Sequence, residues 1–164
     1  MNLDSIEKKD LIRWMPSGYD ICLCSGYQCP HRFLCLRYLA EPSGRQDYYG
    51  SPPISPSGFC DSFMDARPTF LRSILPHVIS RLAEDICQQN HTIPELHWLL
   101  SEIQLRIENL NEVALSQVIP EHIRLNAYFI SQNLYSAEDL HWFIAEQTLL
   151  EKILKIRIAE LIKK

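Results

Sequence analysis

The sequence predicts a mainly α-helical chain in which an irregular, metal-stapled cysteine-rich module precedes a duplicated helical hairpin. All five glycines, seven of ten prolines and five of six cysteines lie at or before residue 68. Beyond residue 70, glycine is absent and apolar residues recur at helical spacing. A Leu-His-Trp-x-x-x-Glu sequence occurs at 96–102 and again at 140–146. These observations divide the chain into a module of residues 1–70 and a repeat region of residues 71–164.

The repeat extends well beyond this motif. A shift of 44 residues aligns 75–110 with 119–154 without a gap and gives eleven identical positions. Each copy has a proline at its second position, which suits the first turn of a helix. In each copy a hydroxyl residue is followed three positions later by an acid, which is typical of a helix N-cap; these residues are Thr92, Glu95, Ser136 and Asp139.

These signals predict four helices, at 74–89, 93–111, 120–133 and 137–162. Two short hairpins cannot bury their own apolar faces, so we expect a four-helix bundle-like arrangement about a pseudo-twofold axis. Trp98 and Trp142 are predicted to fill the core, with the neighbouring His and Glu side chains at its rim. Cys87 is expected to be a core residue, and the apolar tail 156–162 a docking surface.

The first 70 residues predict turns and extended segments. Apolar residues near the N-terminus indicate a short amphipathic helix that ends before Pro16 and Gly18; they are Leu3, Ile6, Leu11, Ile12 and Trp14. The Pro/Ser cluster at 51–57 cannot continue a helix.

Five cysteines within 39 residues form the sharpest chemical signal in the chain. Their odd number and the expected reducing compartment favour a metal over disulfides. The predicted ligands are Cys24, Cys29, Cys35 and Cys60, with Cys22 and His31 as substitutes. Zinc is the preferred cofactor, and an iron–sulfur cluster or free thiols are the alternatives.

Cations and aromatic residues surround these thiols: Arg32, Phe33, Arg37, Tyr38, Arg45, Tyr48 and Tyr49. Such a mixture could stack bases and pair phosphates. However, residues 1–72 carry no net charge and residues 73–164 carry −4, whereas nucleic-acid binding usually leaves a basic footprint. Aromatic cover for the metal site is therefore the preferred interpretation.

Two stretches resemble known proteins. The second copy is similar to a small bacterial helical domain of unknown function, through Ile123, Arg124, Ala127, Tyr128, Asp139, Leu140, His141, Trp142, Ala145 and Glu146. The first copy departs from that pattern at Glu84 and Ser101. Residues 24–63 resemble cysteine-rich segments of uncharacterised bacterial and phage proteins. These resemblances imply a helical domain and a compact metal module, without a reaction.

The expected function is that of a non-enzymatic adaptor or regulatory protein that binds another macromolecule, most readily a protein. A zinc-dependent nucleic-acid-binding protein and an iron–sulfur redox or sensor protein are the alternatives. No Gly-x-Ser-x-Gly or His-Glu-x-x-His motif is present, and no catalytic residue is assigned. Charged residues at 7–10 and the lack of a long apolar run predict a cytoplasmic protein without a membrane segment.

Overall fold

The computed structural model describes residues 7–13, 15–18, 20–110 and 118–163. A 3-10 turn spans Arg32–Leu34. The helices are α1 (Lys8–Leu11), α2 (Leu36–Leu39), α3 (Arg67–Ser73), α4 (Pro76–Cys87), α5 (Ile93–Glu108), α6 (Pro120–Ser131) and α7 (Ala137–Ile162). Within the described ranges, β-structure is limited to isolated bridges. The prediction of a mainly α-helical chain is therefore confirmed.

The helices of the repeat region begin at equivalent positions. Prolines 76 and 120 open α4 and α6, and α5 and α7 begin at residues 93 and 137, so each pair is 44 residues apart. Thr92 forms a capping box with Glu95, and Ser136 forms one with Asp139. These boxes provide hydrogen-bond partners for backbone N–H groups at the start of each helix. Asn90 and Leu134, also 44 apart, have positive φ angles of 55° and 53°. A duplication predicts this equal spacing, and the common origin of the copies stays a prediction.

Helix pairing differs from that of closed hairpins. Helix α4 packs along α7, α6 packs along α5, and α5 and α7 form the central pair. The two helices of one copy make no extensive contact with each other. Each copy is thus an open helix–turn–helix unit, and its first helix buries its apolar face on the other copy.

The repeated Leu-His-Trp motif places leucine, rather than tryptophan, at the centre of the core. Leu96 and Leu140 are fully buried, whereas Trp98 is 37% exposed and Trp142 packs at the core's margin. The prediction that both tryptophans fill the core is wrong for Trp98. His97 is only partly exposed, and its Nε2 atom is buried without a hydrogen-bond partner among the described residues.

Three short helices from the first 73 residues cover part of α7. Helices α1, α2 and α3 all pack on α7. Ile158 is buried, and Ile156 and Leu161 pack on the core, which leaves Ile162 exposed. The tail is therefore not the free docking surface that its sequence suggested. Cys87, expected in the core, is exposed.

A continuous hydrophobic core joins the two regions of the sequence. Leu11, Leu39 and Phe70 belong to the same buried cluster as Leu96 and Leu140. The predicted boundary after residue 70 falls inside α3, a helix that the sequence analysis did not predict. Pro68 lies in the first helical turn, where its missing N–H costs no hydrogen bond.

The short N-terminal helix packs on the rest of the chain, as expected. Leu11 is fully buried, and Ile12 forms an antiparallel bridge with Ile74. The other apolar residues of that predicted helix, Leu3, Ile6 and Trp14, lie outside the described residues, as does the predicted end of the second long helix at Asn111.

A buried carboxylate ties the central helix pair together. Glu151 of α7 is 6% exposed and accepts hydrogen bonds from Arg106 of α5 at 3.1 Å and from Lys155 at 2.6 Å. Arg106 also pairs with Glu102 at 2.7 Å. Burial opposes ionisation of Glu151, but the hydrogen bonds from Arg106 and Lys155 outweigh it and lower the pKa of this carboxyl.

Replacing Glu151 with Gln should lower the free energy of unfolding by about 1–3 kcal/mol at pH 7, because Arg106 and Lys155 lose a charged acceptor. The folded-state pKa lies below the unfolded-state value of about 4.3, so this stabilisation is present above that pH and disappears as the pH falls through the folded-state pKa.

Urea unfolding of both proteins between pH 7 and about pH 3 measures this difference. Glu146→Gln, on the same helix, is the control. A difference between Glu151→Gln and the parent chain that stays constant over the whole range would contradict the assignment.

Candidate metal centre

The structure brings the four predicted ligands to one place. Cys24, Cys29, Cys35 and Cys60 all line a single small cavity of about 10 Å³. Aromatic and proline side chains form much of the remaining wall: Tyr38, Tyr49, Pro52, Pro53 and Phe63. The cysteines are separated by up to 36 positions in the sequence, so their convergence is a property of the folded chain.

The two substitute ligands lie elsewhere. Neither Cys22 nor His31 lines the cavity. The thiol of Cys22 lies 3.7 Å from the carbonyl oxygen of Leu23, and His31 is exposed with its ring centroid 6.0 Å from that of Phe63. Cys22 and Cys24 therefore differ in environment, as expected for alternate positions of an extended segment.

A tight loop positions Cys24 and Cys29. The backbone N–H of Gly26 donates to the sulfur of Cys24 at 3.4 Å, and that of Cys29 donates to the carbonyl of Gly26 at 3.0 Å. Gly26 has a φ angle of +66°, and an added Cβ would lie 2.7 Å from the ring of Tyr38. Only glycine fits this combination of backbone conformation and close packing.

Cys35 and Cys60 are held by regular backbone contacts. Cys35 is the N-cap residue of α2 and forms an antiparallel bridge with Asp65. Cys60 forms a bridge with Ile54, and its carbonyl accepts the N–H of Phe63 at 3.0 Å. Separate hydrogen-bonded segments thus carry these two thiols to the cavity that the 24–29 loop closes.

The electrostatic environment of Cys29 reflects this proximity. Burial raises the pKa of its thiol, a hydrogen bond from the backbone of His31 opposes the rise, and the charges of Cys60, Cys35 and Cys24 add to it. Four thiols that share a cavity cannot all ionise at low cost without a compensating positive charge.

Four thiols that line the same cavity do not by themselves form a complete set of metal ligands. Among the residues that the structure describes, no group of three or more His, Cys, Asp and Glu side chains has an arrangement ready to hold a metal ion. The thiols share the cavity wall without meeting at one point. Metal binding therefore stays a prediction.

Two arginines that the sequence offered as a nucleic-acid surface serve the module internally. Arg37 donates to the carbonyls of Ser62 and Cys22, both at 2.8 Å, and its guanidinium lies 5.5 Å from the ring centroid of Tyr49. Arg32 donates to the carbonyl of Gly26 at 3.3 Å. Both line the cavity, a role that sequence reasoning missed because it depends on distant backbone carbonyls.

Comparison with known proteins assigns no family to this chain. No family model, no curated protein and no solved structure matches this chain. Within the described ranges, no helix has the length and apolar character needed to cross a membrane.

Substituting Gly26 with Ala tests whether this loop needs both its backbone conformation and its close packing. The positive φ and the clash with Tyr38 together should lower the free energy of unfolding by about 2–4 kcal/mol, measured by urea denaturation. Gly58→Ala is the matched control, because Gly58 has a φ of +81° but no atom of the described residues lies within 4 Å of an added Cβ. Equal losses of unfolding free energy in Gly26→Ala and Gly58→Ala would show that close packing against Tyr38 does not restrict position 26.

Proposed function

We propose that this chain is a non-enzymatic adaptor or regulatory protein that binds another protein through an exposed apolar face of α6, while a structural metal ion holds its cysteine-rich module. The α6 face consists of Leu125, Tyr128 and Phe129 of the helix together with Leu134, which follows its C-terminal end. The contrast between these residues and their counterparts in the first copy is the observation that carries the proposal.

The first three residues of the α6 face lie on one side of the helix. Their spacing of i, i+3 and i+4 aligns the side chains, each of which is between 57% and 59% exposed. The rings of Tyr128 and Phe129 contact each other edge to face, with centroids 5.8 Å apart. A contiguous apolar surface of this kind typically marks an interaction site.

The equivalent positions of the first copy carry polar residues. A shift of 44 places Arg81, Glu84, Asp85 and Asn90 opposite Leu125, Tyr128, Phe129 and Leu134, in that order. The fold can therefore hold a helix in this position with a polar outer face. The apolar residues on α6 are not required by the architecture, which favours a functional reason for them.

Leu134 supports the same interpretation. It is 89% exposed and has a φ angle of 53°. A leucine in the left-handed region costs about 1–2 kcal/mol relative to its usual conformations. Since this side chain is almost fully exposed, contact with a partner is the gain that would offset the cost.

A protein partner fits this surface better than a nucleic acid. Helices that present apolar anchors at i, i+3 and i+4 insert them into hydrophobic grooves of other proteins. No residue of the α6 face is cationic, whereas contacts with phosphates need positive charge.

The proposed metal has a structural role in the adaptor. Residues 20–66 contain only the 3-10 turn and α2 as regular elements, so few helical hydrogen bonds support this segment. Crosslinking thiols from three parts of such a segment would stabilise it strongly, because metal binding free energy becomes folding free energy.

The α6 face can be tested by giving it the residues of the first copy. The triple variant Leu125→Arg, Tyr128→Glu, Phe129→Asp should keep its far-UV circular dichroism and reduce affinity for a captured protein partner by about 100-fold, because apolar anchors dominate such interfaces. Quantitative affinity capture with the intact chain measures the effect.

Arg81→Ala, Glu84→Ala on the outer face of α4 is the control and should leave capture unchanged. If sedimentation velocity shows that the triple variant dissociates an oligomer, the partner is a second copy of this chain. Undiminished capture by the folded triple variant, without a change in association state, would contradict the proposal.

Leu134→Gly should raise the free energy of unfolding by about 0.5–1 kcal/mol, because glycine adopts the positive φ without strain. The same variant should weaken partner binding. Asn90→Gly should change stability less, because asparagine tolerates this conformation. A Leu134→Gly protein that binds as tightly as the parent chain would remove Leu134 from the interface.

A further inference from the structure

We infer that the cavity thiols bind one thiophilic divalent ion, such as zinc, as a mononuclear tetrathiolate site whose charge Arg32 and Arg37 neutralise. This inference deepens the proposed function: it rests on the proposed structural metal and specifies its nuclearity, its ligands and the residues that balance its charge.

The cavity is small. Its volume of about 10 Å³ is on the scale of one ion or water molecule. An iron–sulfur cluster brings several iron atoms and inorganic sulfides and needs more room than one ion. In a zinc site the sulfurs lie about 2.3 Å from the metal. A single ion therefore suits this space better than a cluster.

A backbone N–H group is directed at one of the four sulfurs. The sulfur of Cys24 accepts the N–H of Gly26 at 3.4 Å. A donor in this position supports a sulfur that ligates a metal.

The arginines provide the matching charge. A divalent ion with four thiolates carries a net charge of −2, and Arg32 and Arg37 supply +2 at the wall of the same cavity. Bonds to Ser62 and Cys22 fix the guanidinium of Arg37, and a bond to Gly26 fixes that of Arg32. The centre of Arg32's guanidinium also lies 4.8 Å from the ring centroid of Phe33.

Neighbouring cysteines offer matched controls. Cys22 lies two positions from Cys24 but outside the cavity, and Cys87 is an exposed helical residue. Replacement of a proposed ligand such as Cys24 can therefore be compared with replacement of a cysteine that is not a ligand. Cys22 provides this control within the same extended segment as Cys24.

The test is metal analysis of the intact chain purified anaerobically from cells supplied with both zinc and iron, followed by titration of the metal-free protein with Co²⁺. We expect one zinc per chain, no acid-labile sulfide, and a 1:1 cobalt complex with the absorption of a tetrahedral tetrathiolate. Cys24→Ser and Cys35→Ser should lose this spectrum, and Cys22→Ser and Cys87→Ser should keep it.

Arg37→Gln should weaken zinc binding by about 10–100-fold, the usual effect of removing a group that supports metal ligands. Arg37→Lys, which keeps the charge without the planar fork, should recover part of this loss. Competition with a chelator measures both affinities, and urea unfolding of the metal-free proteins provides a readout for a purely structural effect. Equal zinc affinity in Arg37→Gln and the parent chain would overturn the role of the arginine.

Different results would overturn the mononuclear site, the structural metal and the protein interaction. Several irons with sulfide would overturn the mononuclear site and leave a structural metal in place. Absence of any bound metal, with a folded Cys24→Ser variant of unchanged stability, would overturn the structural metal as well. The proposed protein interaction is decided independently by the variants of the α6 face.

Discussion

One buried guanidinium hydrogen-bonds the cysteine-rich region to the last helix of the repeat region, across the core that the two regions share. Arg157 of α7 is 2% exposed and donates to the carbonyls of Leu39 and Ala40 at 2.7 and 3.0 Å. These carbonyls lie at the C-terminal end of α2, where no further helical turn supplies a partner. Burying an arginine costs free energy unless its donors have hydrogen-bond partners. The carbonyls at the end of α2 provide those partners, and Arg157 of α7 provides donors for the carbonyls.

Charged side chains extend this contact to the N-terminus. Glu160 pairs with Arg157 and with Lys8 of α1, both at 3.2 Å, and Glu41 lies within 4 Å of the same two cations. The apolar residues around the network belong to the shared core. Electrostatic contacts and apolar burial therefore hold together segments that are more than 100 residues apart in the sequence.

Helix α2 connects this network to the proposed metal centre. Cys35 immediately precedes the helix at the cavity, and Leu39 and Ala40 bond Arg157 at its other end. A four-residue helix is too short to be stable alone. An ion that fixes Cys35 would therefore also stabilise the docking of α2 on α7. In this account, metal binding supports the helical region as well as the module that contains the thiols.

Local rules predicted the parts of the structure that depend on neighbouring residues. The last helix was predicted at 137–162 and has those bounds; it begins after Ser136, which forms with Asp139 a capping box visible in the sequence. The four proposed ligands also share a cavity. Their separate positions in the sequence could not reveal whether they reach one point, which depends on the fold of three segments.

Features that depend on packing between distant parts of the sequence were harder to predict. Spacing alone could not show that α4 packs along α7 and α6 along α5. Nor could it show that Trp98 is partly exposed, or that α1, α2 and α3 pack on α7. The α6 face was missed because its residues fit a core-facing pattern equally well, and only burial distinguishes these two cases.

The most direct test of the coupled account is unfolding of the intact chain followed by far-UV circular dichroism, with and without a tight-binding zinc chelator. The helices of the repeat region dominate this signal, and none of the proposed ligands belongs to them. The account predicts one cooperative transition whose midpoint falls when metal is removed. A helical transition with the same midpoint in both conditions would contradict it.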